Sequence, residues 1–228
     1  MNPADQKMFV PEGVEFESTN SFSADELLKI ETFTLRTYGK NAMVLASLRN
    51  VGRQLACDNH VAMVLQGSNG ETFASADVYM YAAALYEDFT TAGCLAPGEV
   101  GVGGAILLPE GGAEPDSIVS QVSHVVYQFQ GYLPTDAVKL DLVGLADVTI
   151  SSAASRVAKV QGRFHNGGTT PISELSAFAF SLNAAGRPLA MGRTQNSSAT
   201  MPTSDWNFDI SLEGPVDKYV VVASYPTQ

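Results

Sequence analysis

The sequence predicts an all-β chain: two tandem β-sandwich domains behind a short N-terminal extension. Three observations carry this expectation. First, the stretch VLASLRNVGRQLACDNHVAMVLQGSNGETF (Val44 to Phe73) returns as VQGRFHNGGTTPISELSAFAFSLNAAGRPL (Val160 to Leu189). Asn50 to Asn166 and Gly70 to Gly186 are both shifts of 116 residues, the mark of one unit used twice. Second, the apolar residues alternate with polar ones in short runs punctuated by Asn and Gly turns. Third, 228 residues suit two domains of about 100 residues each.

The boundaries follow from the repeat. Residues 1–22 form an extended N-terminal segment, rich in turn formers and without helical period. Residues 23–136 form the first sandwich and 137–228 the second. Ser23-Ala24-Asp25-Glu26 reads as a capping box for at most one helical turn, because Ile30-Glu31-Thr32-Phe33-Thr34-Leu35 already alternates as a strand. In the next strand Val44, Ala46 and Leu48 face inward while Leu45, Ser47 and Arg49 face out. Val160, Gly162 and Phe164 repeat the inward set, with Gln161, Arg163 and His165 outward. The preceding strand repeats as Ile30, Thr32 and Thr34 against Ala146, Val148 and Ile150. Third strands are expected at Val61 to Leu65 and Phe178 to Leu182, each followed by a Gly turn and a short strand. The runs HVVYQF and KYVVVASY supply a last strand to each copy, closed by Pro134 and Pro226. Short strands at this spacing describe a sandwich.

The copies differ in length. Gly70 to Pro134 spans 64 positions and Gly186 to Pro226 spans 40, so the first copy carries 24 extra residues. They divide between an insertion at 75–92 and the Gly-rich LLPEGGAEPDS. Loops added to a shared scaffold are where binding surfaces tend to arise.

Composition narrows the function classes. A formal charge of -11 and pI ≈ 4.6 argue against nucleic acid or an anionic membrane as partner, since both select basic surfaces. No apolar run approaches the ~20 residues of a membrane-spanning segment. The first residues, MNPADQKMFVPEG, show no basic stretch followed by an apolar one, so no signal peptide is expected there. Met1 then stands either ahead of a mature exported protein or at the start of a cytoplasmic or virion protein. The two cysteines, Cys57 and Cys94, fall in the first copy, and the repeat places Ser173 at the position of Cys57. A pair confined to one domain suggests a disulfide in an oxidising compartment; two buried free thiols are the alternative.

The search for chemistry yields no catalytic residues. His60, His124 and His165 lack partners at metal-ligand spacing, apart from the loose Cys57-Asp58-Asn59-His60, so no metal site is expected. No G-x-S-x-G elbow is present. Gly98 to Gly104 lacks the following helix that a phosphate loop requires, and its glycines read as a bulge or bend. Asp58-Asn59, Ser68-Asn69 and Glu87-Asp88 could offer oxygens to calcium, but turn chemistry accounts for them. No cofactor is expected. Aromatics give the binding signal: Tyr79 and Tyr81, two apart on a strand, share a face, and Tyr86 and Phe89 follow within the insertion. Trp206 and Phe208 also share a face and read as core.

The recurring V-x-x-x-x-x-N-x-G, the F/M-x-L at Met63-Val64-Leu65 and Phe180-Ser181-Leu182, the turn glycines Gly70 and Gly186, and Leu95-Ala96-Pro97-Gly98-Glu99 together resemble the FxLYD-type immunoglobulin-like domains. The Tyr-Asp pair of that family is missing from both copies, and Met201-Pro202-Thr203-Ser204 replaces Pro-Gly-Glu in the second. The resemblance implies two tandem immunoglobulin-like domains that serve as accessory modules of bacterial envelope or secreted proteins. The expected function is a non-enzymatic structural or interaction module binding a protein partner through loops of the first domain. Its expected location is extracytoplasmic (periplasm, outer surface or secreted). Self-assembly of a particle or filament through Phe9-Val10 and Val14-Glu15-Phe16 is the second reading, with a virion as its setting. Glycan binding is the third.

Overall fold

Alternating apolar residues at Val61, Met63 and Leu65, all buried, with Ala62, Val64 and Gln66 only half covered, show the pleat that builds most of this chain. The computed structural model describes residues 8–9, 13–19, 28–38, 40–54, 56, 60–82, 95–129, 143–152, 157–213 and 218–224. The chain divides into two compact units, Met1–Met80 with Leu95–Pro134 and Tyr81–Cys94 with Thr135–Gln228. The strands of the first unit (domain 1) and the second (domain 2) form β-sandwich domains, and the fold is all-β. Residues 23–26, where the sequence suggests a helical turn, lie outside the described residues.

Domain 1 contains β1 (Met8–Phe9), β2 (Glu15–Ser18), β3 (Leu28–Tyr38), β4 (Asn41–Asn50), β5 (His60–Gln66), β6 (Thr72–Ala82), β7 (Val100–Ile106), β8 (Leu108–Pro109), α1 (Pro115–Gln121) and β9 (His124–Phe129). Their hydrogen-bonded order is β1-β3-β4-β7-β6-β5-β9-β2, with β8 beside β6. Domain 2 contains β10 (Val143–Ser152), β11 (Val157–Asn166), β12 (Ser176–Leu182), β13 (Pro188–Gln195), β14 (Asp205–Glu213) and β15 (Lys218–Ser224). Its strands form two three-stranded sheets, β10-β11-β14 and β13-β12-β15.

The duplication is visible in the pairing. β3-β4-β7 answers β10-β11-β14, and β6-β5-β9 answers β13-β12-β15. The first hairpin of each copy carries a bulge, between Ile30 and Thr32 and, slightly further along, between Ala146 and Thr149. Leu35 pairs with Val44 and Ile150 with Val160, so the first strands correspond at a shift of 115, one less than the alignment of Thr34 with Ile150.

The core of domain 2 follows the expected alternation. Ala158, Val160 and Phe164 from β11 join Phe208, Ile210 and Leu212 from β14. Across from them stand Ala177 and Ala179 from β12 and Val221 from β15. Phe164 packs on Phe208 at 5.0 Å between ring centroids and on Trp206 at 6.0 Å. Truncating such a buried ring costs about 3–5 kcal/mol. Gly192 on β13 lies so close to β14 that a Cβ would collide with the Ile210 side chain and the Ser211 carbonyl.

This core corrects the alignment of the third strands. Ala177 and Ala179 line the core at a uniform shift of 116 from Val61 and Met63. Phe180, fully buried, therefore sits on the opposite face of β12. An offset of one residue moves a side chain to the other side of a sheet. The Phe180-x-Leu182 motif thus occupies the positions of Val64 and Gln66, not those of Met63 and Leu65.

A second departure concerns β4. Ala42 to Leu48 are all buried, including Leu45 at 0 % and Ser47 at 2 % exposure, where one polar face was expected. The cause is α1, built from the second part of the added sequence, which packs on β3 and β4. Pro115 opens this helix near its first turn, where a missing N–H is harmless. Ile118, Val119 and Val122 are buried there. Ser47 retains a partner by sharing a hydrogen bond with Thr32 at 2.6 Å. In domain 2 the equivalent face stays polar, with Lys159, Gln161 and His165 exposed.

Each copy is tied by one buried asparagine. The Asn50 Nδ2 donates to the carbonyls of Gln54 and Leu95, both at 2.8 Å, and its Oδ1 accepts from Gly52 N–H at 3.0 Å. Asn166 repeats this with Thr170 and Thr200, both at 2.9 Å, and Gly168 at 2.9 Å. Its backbone then receives the returning turn: Gly98 N–H donates to the Asn50 carbonyl at 2.7 Å and Thr203 N–H to that of Asn166 at 2.8 Å. Beside each turn lies an antiparallel bridge, Ala56 with Leu95 and Ile172 with Thr200. The Leu95 to Glu99 and Thr200 to Ser204 segments are therefore the same element, although Thr203 stands where the first copy has glycine.

Candidate functional site: an aromatic and histidine pair on the outer face of domain 1

Antiparallel pairing of β5 with β6 sets His60 directly opposite Tyr79 and Ala62 opposite Asp77. Side chains directly opposite point to the same side of the sheet. On this outer side the His60 and Tyr79 rings stack, with centroids 4.5 Å apart and planes within 2°. The Asp77 carboxylate lies 3.2 Å from His60 Nε2. That nitrogen has no aligned hydrogen-bond partner, so proximity of charge, not a directed bond, links the two whenever the imidazole is protonated. Tyr79 is 49 % exposed. The result is a ring held flat by its neighbour and half exposed.

Among the residues singled out in the sequence, the structure thus brings Tyr79 together with His60, which has no partner at metal-ligand spacing in the sequence. Tyr81 follows two positions on in β6. Its side chain lies outside the described residues, as do Tyr86, Phe89, Cys57 and Cys94. The first part of the insertion, from Ser75 to Ala82, continues β6 rather than forming a loop. Trp206 and Phe208 belong to the core and its margin. Gly98 lies in the returning turn, while Gly101, Gly103 and Gly104 lie within β7, paired to β4; they cradle no helix N-terminus. Ser68 and Asn69 form the tight turn after β5, where Asn69 N–H donates to the Glu71 carboxylate at 3.1 Å.

Two other polar clusters lie among the described residues. His124 lies 3.2 Å from Glu17 and 3.8 Å from Glu15, because β2 pairs in parallel with β9 and sets Glu15 opposite His124. A concavity of about 430 Å³ opens beside it, lined in part by Glu15, Gln66, Ser68 and His124. Its lining is polar and open, unlike the mostly apolar, enclosing pockets that hold small molecules. On the outer face of domain 2, Asp205 accepts from Arg163 at 2.6 Å and contacts His165 at 2.7 Å. Hydrogen bonding from His165, then from Arg163, holds the Asp205 carboxyl below the usual carboxylate range. Among the described residues no group of three or more His, Cys, Asp or Glu side chains is placed to hold a metal ion. No described helix is long and apolar enough to cross a membrane.

No protein-family model matches the chain. No curated protein matches it either. Among solved structures, the crystal structure of red sea bream transglutaminase is similar with a TM-score of 0.28 and 11 % sequence identity. The likeness covers 87 % of this chain but 29 % of that one, so the chain spans less than a third of that protein's length. At this level the likeness carries no argument about activity.

Proposed function

We propose that the chain is a non-enzymatic interaction module of a bacterial cell envelope or secreted assembly, and that it engages a protein partner through the Tyr79 face of domain 1. The observation that supports this reading is the exposed Tyr79 ring stacked on His60 beside Asp77. An amphipathic ring already fixed in place loses little rotamer freedom on binding, which is why such anchors dominate interfaces. The FxLYD-type likeness, and the envelope setting it implies, is supported by the repeated asparagine and Pro-containing turn, and weakened by the one-residue displacement of Phe180-x-Leu182.

The test compares Tyr79→Ala with the unaltered chain in cross-linking and pull-down from bacterial envelope fractions. Capture of a specific partner should fall at least tenfold, with circular dichroism unchanged. The same partner recovered equally well by both would exclude this face.

A second reading, assembly through the N-terminal arm, is favoured by one observation. Phe9 pairs opposite Leu35 on β3, and Glu15 to Ser18 pair with β9, so the arm already acts as added strands. Mass measurement with and without residues 1–22 separates the two readings, since an unchanged monomer mass removes arm exchange. Glycan binding is tested by tyrosine fluorescence across a saccharide panel, where flat titrations remove it.

A further inference from the structure

Among the described residues the duplicated sheets end differently. In domain 1, β9 pairs with β5 on one side and with β2 on the other, so the N-terminal segment covers that edge. Glu15 lies opposite His124, Phe16 opposite Val125, Glu17 opposite Val126 and Ser18 opposite Tyr127. The Tyr127 carbonyl accepts from Thr19 N–H at 3.0 Å. In domain 2, β15 is the counterpart of β9 and pairs with β12 on one side. Among the described residues no strand pairs with its other edge.

Register fixes the correspondence. Leu65 pairs with Val125 and its counterpart Ser181 with Tyr219; Gln66 pairs with His124 and its counterpart Leu182 with Lys218. Lys218 therefore stands at the position of His124, and Val221 at that of Tyr127. An unpaired row of N–H and C=O groups is a template for a further strand. Domain 1 shows the strand that fits the equivalent edge: an acidic residue first, an aromatic second, an acidic residue third. Lys218 suits it better than His124 does, because lysine opposes a glutamate with a permanent charge.

We propose that the outer edge of β15 receives an extended strand of another polypeptide, parallel to β15, with the acidic and apolar alternation of Glu15-Phe16-Glu17-Ser18. This adds a second contact to the interaction-module reading and does not depend on Tyr79. Backbone hydrogen bonds would supply the generic attraction, and the Lys218 charge the choice of an acidic first residue.

The experiment adds a synthetic peptide of residues 13–19 to the full chain and follows amide hydrogen exchange by mass spectrometry. Exchange across residues 218–224 should slow saturably with peptide. In Lys218→Glu the apparent affinity should fall by about threefold to tenfold, the range set by a cross-strand charge pair turned repulsive. A peptide carrying lysine in place of Glu15 should recover that loss, which separates a charge contact from a folding defect. Tyr79→Ala should leave all of this unchanged, so failure of the Tyr79 face and failure of this edge are read separately. Three results would overturn the proposal: no protection at 218–224 up to millimolar peptide, protection confined to 124–129, or no recovery by the charge-swapped peptide. Protection that appears without peptide, grows with protein concentration and vanishes on deleting residues 1–22 would replace the partner strand with a second copy of this chain.

Discussion

Asn50 and Asn166 each use one carboxamide three times, donating twice to backbone carbonyls and accepting once from a glycine N–H. Both side chains are buried, at 0 % and 1 % exposure. A buried carbonyl stripped of its donor keeps the full cost of lost water. Asn166→Ala should therefore destabilise domain 2 by about 2–3 kcal/mol in urea unfolding. Asn166→Asp keeps the shape but removes both donors, so it should do at least as much damage at neutral pH. A smaller loss in the aspartate variant would show that shape, not donation, is what the site requires. Thr203 offers the opposite case. Its φ is 58°, matching the +82° of Gly98 at the same place in the first copy, and a β-branched residue is strained in that region. Thr203→Gly should raise stability by about 0.5–1 kcal/mol, the strain relieved less the chain freedom that glycine adds when unfolded. An unchanged or lower midpoint would mean that the threonine side chain contributes more than its strain costs.

At the scale of elements, helix α1 and the polar face of β11 are two answers to the same problem. Strands β4 and β11 both turn one side away from their core. In domain 1 that side carries Met43 and Leu45 under a helix. In domain 2 it carries a ladder in which Arg163 and His165 meet Asp205, while Gln161 and Lys159 reach Asp209 at 3.0 and 3.5 Å. Asp205 has a carboxyl pKa lowered by His165 first and Arg163 second. A group held down in the folded state adds stability above its unfolded value and loses it as pH falls through the folded one. The difference in unfolding midpoint between the unaltered chain and Asp205→Asn should thus shrink as pH drops below the usual carboxylate range. A difference independent of pH there would remove the ladder's role. The strands themselves were legible because alternation is a local signal: Val61 to Leu65 and Val160 to Phe164 read correctly. Helix α1 was not, because seven residues after a Gly-Gly pair show too little period. The burial of Leu45 followed from that helix and could not be read without it. Phe180 was misplaced because an F-x-L motif carries its spacing but not its face.

Across the whole molecule the repeat is the lasting signal, since Asn50, Gly70 and their counterparts encode turns that both copies must close. The candidate site was half legible. Tyr79 stood out by its position on β6, but His60 and Asp77 joined it through cross-strand register, which a single sequence does not display. The repeat also frames the last expectation. Ala56 and Leu95 exchange backbone hydrogen bonds at 3.0 and 2.6 Å. In sequence Cys57 directly follows the first and Cys94 directly precedes the second; both lie outside the described residues, and the disulfide expected from the sequence is the outcome to test against two free thiols. The matching bridge in the other copy joins Ile172 with Thr200, whose corresponding neighbours are Ser173 and Ala199, so any crosslink of this kind belongs to one copy alone. Closing a loop of this length stabilises by about 3–4 kcal/mol on the chain-entropy view, and the loop contains all of β5 and most of the Tyr79 face. Thermal unfolding followed by hydrogen exchange should show residues 60–79 losing protection at a lower temperature once reductant is added, with residues 157–182 unmoved. Thiol titration of the unreduced, denatured chain should find neither cysteine reactive. Two reactive thiols, or an unfolding profile blind to reductant, would make the pair free cysteines and withdraw the argument for an oxidising compartment.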